Sequence, residues 1–216
     1  MKKVEPTKRT RVVREPHRGV YDRDACCAIL DEALACHIGF AVDAQPYVIP
    51  TLFARVGDVI YFHGSAASRM LRHLGGGAPM SLTVTLIDGI VLARSVFNHS
   101  INYRSVVVLG NATVVDDVTT KREALKAFTD RLLAGRWGDA RPPTDTELAA
   151  TSILRLPLDE FSAKVRIGPP VDKDEDLALP VWAGVIPLRF VAGAPIADAG
   201  CDPNLTAPTY ARFEHR

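Results

Sequence analysis

The strictest constraint on the fold is the run from Met80 to Ile87, where Met80, Leu82, Val84 and Leu86 alternate with Ser81, Thr83 and Thr85. A period of two sends successive side chains to opposite faces of a strand, so one face here is buried and the other meets something polar. The segments around it read the same way. Ile38 to Val42 and Tyr47 to Arg55 form strands joined around Ala44-Gln45-Pro46, and Gly57-Asp58 turns into a third strand at Val59 to His63. Strands so closely spaced imply antiparallel hairpins. Asp88-Gly89 is a two-residue hairpin signal leading into a strand from Ile90 to Phe97. A polar connector, Asn98 to Asn102, precedes a β-branched strand from Tyr103 to Val115 with Gly110 as a bulge or bend.

Helices flank this β-rich stretch. Asp22 caps a helix from Arg23 to Ala35 whose Cys26, Ile29, Leu30, Ala33 and Leu34 form one stripe, the pattern of a lid on a sheet. Thr120-Lys-Arg-Glu123 is a capping box opening a helix to Leu133, and Thr144-Asp-Thr-Glu147 caps a shorter one. Further strands fall at Ser152 to Leu156, Phe161 to Arg166 and Trp182 to Phe190. The pattern predicts a mainly β chain with helical lids (α+β), closed into an antiparallel barrel, since closure removes sheet edges. A chain of 216 residues fills one domain. Its expected division is an extended N-terminal arm over 1–20, the domain over 21–190 and an irregular C-terminal tail over 191–216.

Composition excludes several functions. With 26 Lys and Arg against 25 Asp and Glu there is no general footprint for nucleic acid or an anionic membrane. The basic run Lys8-Arg9-Thr10-Arg11 is diluted by Glu5, Glu15, Asp22 and Asp24. No apolar run reaches membrane-spanning length and no signal-peptide core is present, so the expected location is the cytoplasm. Phosphate-loop, dinucleotide-fold and nucleophile-elbow motifs are absent, and His37, His63, His73 and His99 lack zinc spacing. Cys26, Cys27, Cys36 and Cys201 form no CxxC; buried thiols and a vicinal redox pair at Cys26-Cys27 are the two readings.

Chemistry concentrates in Val59 to Leu74, which reads as strand, small hydroxylated turn and helix start with Arg69 in the first turn. Free N–H groups, hydroxyls, a guanidinium and the helix dipole together favour an anion, although a capped surface helix has the same sequence. His63 ends the strand there, in either a structural or a functional role. Asn98 to Ser105 is the other dense stretch, and its Arg104, beside a Val-rich run, requires an anion or a carboxylate partner. Trp182 is core filler or a stacking surface for a planar ligand.

Five segments in order carry a resemblance: His63-Gly-Ser-Ala-Ala-Ser-Arg69 with the strand pair after it, His99-Ser-Ile-Asn-Tyr-Arg-Ser-Val-Val-Val108, Gly135-Arg-Trp, Arg141-Pro-Pro and Trp182-Ala-Gly. Over roughly 17–190 the chain resembles the pyridoxamine 5′-phosphate oxidase-like flavoproteins, with the nitroimidazole-resistance-type, flavin-nucleotide-binding branch closest. The resemblance implies an FMN-binding split β-barrel, a homodimer with flavin at the subunit interface, and a small-molecule substrate. It places Val48, Ile49, Pro50 and Thr51 beside the isoalloxazine ring and His63, Gly64 and Ser65 along the ring and ribityl chain. Ser68 and Arg69 hold the phosphate, Asn102, Arg104 and Ser105 close the pocket, and Trp182 comes from the other subunit. Relatives carry a lysine after the arginine where this chain has Met70. The loss of that contact weakens binding by about 1.5–3 kcal/mol unless Arg72 or Arg104 replaces it. Another flavin, a deazaflavin or haem are the alternatives to FMN. The implied activity is an FMN-dependent oxidoreductase acting on a small substrate such as a nitroaromatic, with His63 as hydrogen-bond donor or proton source. The alternative is a non-catalytic module that stores or senses flavin or haem.

Overall fold

The protein is described by a computed structural model covering residues 4–211. After a short strand β1 (Gly19–Val20), the Asp22 carboxylate accepts the Ala25 N–H at 2.9 Å and starts helix α1 (Arg23–Glu32). Strands β2 (Ala35–Val42), β3 (Gln45–Val56) and β4 (Val59–Ser65) lead to helix α2 (Arg69–Gly75). Next come β5 (Pro79–Leu92), β6 (Ser100–Asn111) and β7 (Thr113–Val114), then helices α3 (Val118–Leu132), α4 (Arg136–Asp139) and α5 (Asp145–Ala150). Strands β8 (Thr151–Pro157), β9 (Glu160–Arg166) and β10 (Gly184–Pro187) complete the sheet.

All pairings are antiparallel, in the order β1-β9-β6-β5-β2-β3-β4-β8-β7. The expected closure does not occur: β1 and β7 are the two ends of the path. Each is only two residues long, and very short edge strands blunt an edge without closing it. One side of β5 pairs with β6 throughout, while the other is shared by β2, at Ser81 to Thr83, and β10, at Gly89 to Leu92.

Alternation along the strands builds two cores. On the inner face Ile38, Phe53, Phe62, Leu82, Val84, Val106 and Phe161 pack with Cys26, Ile29 and Leu30 of α1 and Met70, Leu71 and Leu74 of α2. The next residues along β3 and β8, Ala54 and Ile153, point the other way and meet Ala124 and Phe128 of α3. Thus α1 and α2 cover the inner face, and α3 covers the β3–β4–β8 half of the outer one. Each fully buried Leu or Phe contributes about 1.5–3 kcal/mol of burial.

The expected hairpin at Asp88-Gly89 is instead a register shift inside the continuous strand β5. Gly89 is needed there because a Cβ would lie 3.0 Å from both Ile186 O and Val185 Cγ1 of β10. Gly110 makes no bend; it pairs with Met80 in regular register. Helix α3 starts two residues before Thr120, because the Asp117 carboxylate takes both the N–H and the hydroxyl of Thr120 at 2.7 Å. The Thr144/Glu147 capping box forms as expected. Cys26 and Cys36 are buried, which pushes their thiols up to about 12, and burial also raises the half-buried Cys27, in keeping with the buried-thiol reading.

The N-terminal segment lies on the body of its own chain. Thr7 and Arg9 bind Glu160 of β9, and further along the Val12 N–H donates to the Tyr21 hydroxyl at 2.8 Å. At the other terminus, among the described residues none after Arg166 is buried.

Candidate functional site

The outer face of β2, β3 and β5 is left open beside α3. Here His37 lies opposite both Pro50 and Thr83, and Gly39 opposite both Val48 and Ser81. A Cβ on Gly39 would meet Ser81 Oγ at 2.6 Å, so glycine lets the strands present a flat surface. Val48 is 68% exposed and Leu52 39% exposed. Val48 and Leu52 thus stand exposed beside His37, Ser81 and Thr83, on a face that mixes apolar and polar groups.

His63 stands at the rim of this face, on β4. Its ring centroid is 4.3 Å from that of Phe128, its Nδ1 is buried with no hydrogen-bond partner, and burial lowers its pKa, keeping the imidazole neutral. It opens into a cavity of about 500 Å³ under α3, with Leu52, Trp137, Arg141 and Glu147 also on the wall.

The turn after β4 is held by its own hydroxyls. The Ser68 N–H donates to Ser65 O at 2.9 Å, Ser65 Oγ accepts the Ala67 N–H at 3.2 Å, and Ser68 Oγ caps α2 by accepting the Leu71 N–H at 3.5 Å. Arg69 lies with its guanidinium carbon 4.5 Å from the centre of the Tyr47 ring, and no carboxylate among the described residues pairs with it. Tyr47 stacks on Phe40 at 5.4 Å, and Phe40 lies 5.8 Å from His73, whose Nε2 is buried without a partner. Met70 is core, packed with Leu71 and Leu74.

Strand alternation divides the residues that the resemblance assigned to one pocket. Val48, Pro50, His63, Ser65 and Ser105 share the outer face. Ile49 and Thr51 turn inward, and a Cβ added to Gly64 would lie 3.1 Å from Leu71 Cδ1 of α2. Asn102 and Arg104 lie on the inner side of β6. Asn102 is buried, donating to Gly168 O at 3.1 Å and accepting from the buried Arg166. Arg104 resolves its two alternatives in favour of carboxylates: it donates to both oxygens of Asp88, at 2.9 and 2.7 Å, and is bidentate to Glu32. Those two partners raise its pKa further. Trp182 is 66% exposed and folds back over Gly184, so it is not core filler in this chain.

Sequence reasoning passed over Tyr47 and His73. Arg69 and His73 are spaced i,i+4, which puts both on one side of α2, and that spacing was the available signal. Among the described residues no group of three or more His, Cys, Asp or Glu could hold a metal ion.

A model of the family described as pyridoxamine 5′-phosphate oxidase matches residues 22–165. No curated protein gives a significant match. Among solved structures, the flavocytochrome Anf3 from Azotobacter vinelandii is 42% identical, with a TM-score of 0.90 over 94% of this chain and 95% of that one. The FAD and heme binding protein from Mycobacterium smegmatis is 38% identical, with a TM-score of 0.87 over 90% and 95%. A candidate 5-nitroimidazole antibiotic resistance protein from Bacteroides thetaiotaomicron, 22% identical with a TM-score of 0.56 over 68% and 86%, shares the fold.

Proposed function

The chain belongs to the pyridoxamine 5′-phosphate oxidase family, and on that premise we propose that it is a flavin-binding oxidoreductase of a small molecule, working as a homodimer. The observation that carries this reading is Arg69, a guanidinium in the first turn of α2 that stacks on Tyr47 and has no carboxylate partner among the described residues. Ser68 and Arg69 hold the flavin 5′-phosphate, since a planar bidentate donor suits a phosphate. Val48 and Pro50 support the ring, and His63, kept neutral by burial, offers a hydrogen bond at its rim. A second copy of the chain covers the sheet face that carries Val48 and Pro50 and brings Trp182 to the site. FMN is the smallest group that meets this description; FAD contains the same phosphate and ring, and the name of the M. smegmatis relative weighs toward it. The flavin, when bound, supplies hydride and single-electron transfer.

A second reading adds haem, which the names of both close relatives include or imply. The observation favouring it is the orphaned Nε2 of His73. An imidazole nitrogen buried without a partner is the kind of group that would hold a haem iron. His63 fits less well, because its orphan is Nδ1: ligation through Nε2 would leave that N–H without the partner such ligands normally have.

The purified protein should be yellow and release FMN or FAD, identified by chromatography. Arg69→Ala should weaken flavin binding by about 10- to 150-fold, the equivalent of one charge-assisted contact. A variant that stays fully loaded refutes the phosphate assignment. Loss of a Soret band in His73→Ala, with flavin retained, would support the haem reading, and a band unchanged by the substitution would end it. Reduction by NAD(P)H with turnover of a nitroaromatic acceptor separates an enzyme from a storage or sensing module.

A further inference from the structure

A cavity of about 300 Å³ lies between the N-terminal segment and the outer face of β6 and β9, and Arg69 is not among the residues that line it. Its floor is set by register: Ser105 lies opposite Lys164 and Val107 opposite Ser162, with Leu109 at the end of the row. Its roof is the segment Arg9 to Arg14.

The roof is fixed at both ends. Arg9 and Thr7 are tied to Glu160, and Val12 is tied to the Tyr21 hydroxyl. Between these anchors and just beyond them Arg11 and Arg14 line the cavity with Lys164, and no acidic residue lines it. Arg9 has its carboxylate in Glu160, whereas Arg11, Arg14 and Lys164 have none among the described residues. Three like charges around one cavity raise its local positive potential and favour an anion between them. The Ser105 hydroxyl already donates to Lys164 O at 3.2 Å and the Thr10 hydroxyl is bonded to Thr7, leaving the Ser162 hydroxyl as the neutral side-chain donor.

We infer that this cleft binds a phosphate monoester whose phosphate meets Lys164, Arg11 and Arg14 and whose body rests on Val107 and Leu109. Two arginines can meet a phosphate in bidentate fashion while the lysine acts as a point charge, and the volume is at the lower end for a small-molecule site. Neither Arg69 nor Val48, Pro50 or His63, proposed to hold the flavin, lines it.

The test is calorimetric titration of the full-length protein, as purified, with adenosine 5′-monophosphate, inorganic phosphate and adenosine at low ionic strength. Saturable binding of the monophosphate but not of adenosine is expected. Phosphate binding as tightly as the nucleotide would overturn the monoester and assign the site to the free anion. Lys164→Gln and Arg11→Gln should each weaken binding about tenfold or more, the effect of one lost charged contact. Arg14→Gln, on the exposed roof, serves as a third variant with little risk to folding, and Arg69→Ala should leave the affinity unchanged. Absence of saturable binding by either phosphate species, equal binding of adenosine, indifference to all three glutamine variants, or loss in Arg69→Ala would each overturn the inference.

Discussion

Arg69, at a helix start, and Arg104, beside a Val-rich strand, both call for an anionic partner in the sequence, and their surroundings separate them. Arg104 is saturated by Glu32 and Asp88, which join the end of α1 to the irregular point of β5. Arg104→Ala strands two carboxylates; because all three side chains are about a third exposed, the cost is discounted for solvent to about 1–3 kcal/mol, measurable by urea unfolding. His63 gives a pH signature. Burial lowers its native pKa below the ordinary 6.5. As pH falls through about 6.5 the unfolded chain takes up a proton that the native chain refuses, so stability declines until the lower native pKa is passed. The melting temperature should therefore drop more between about pH 7.5 and 5.5 in the wild type than in His63→Gln, and equal slopes would remove His63 as the cause. The need of Arg104 for a partner was legible from its setting. The partners were not, because they lie 16 and 72 residues away and only the fold brings them together.

Among the elements, β5 was the most legible and the most misleading. Its period-two run fixed which face is core, since a slip of one residue would turn every apolar side chain outward. The Asp88-Gly89 pair then imitated a hairpin because a glycine serves a tight turn and a close strand approach equally well, and only the returning β10 distinguishes them. Gly89→Val should push β10 off its edge. Hydrogen exchange of the Gly184–Pro187 amides would quicken while the global melting temperature changes little, because β10 carries no buried residue. An unchanged exchange pattern would show that the edge tolerates the side chain. The caps followed the same logic: Thr144 with Glu147 was readable because both halves of the box are local, whereas Asp117 displaced Thr120 by offering a carboxylate earlier than the helix was expected to begin.

For the molecule as a whole, the sheet order, the two cores and the open outer face form one system. The α+β class and the antiparallel strands could be read from periodicity. The open path could not, since nothing in a strand's own sequence says whether its last edge finds a partner. The division of the candidate flavin residues between faces also needed the register of β3, β4 and β6. Val48→Asp places a charge at the middle of the face assigned to the second copy; it should convert a dimer on gel filtration to a monomer and release flavin with it. A variant that remains dimeric would move the interface elsewhere. Finally, the sheet's first strand pairs with nearly its last, Gly19 opposite Lys164, while every buried residue among those described has been laid down by Arg166. A chain emerging from the ribosome must therefore keep its leading segment waiting through most of synthesis, and can then complete both cores before the final strand arrives to latch onto β5.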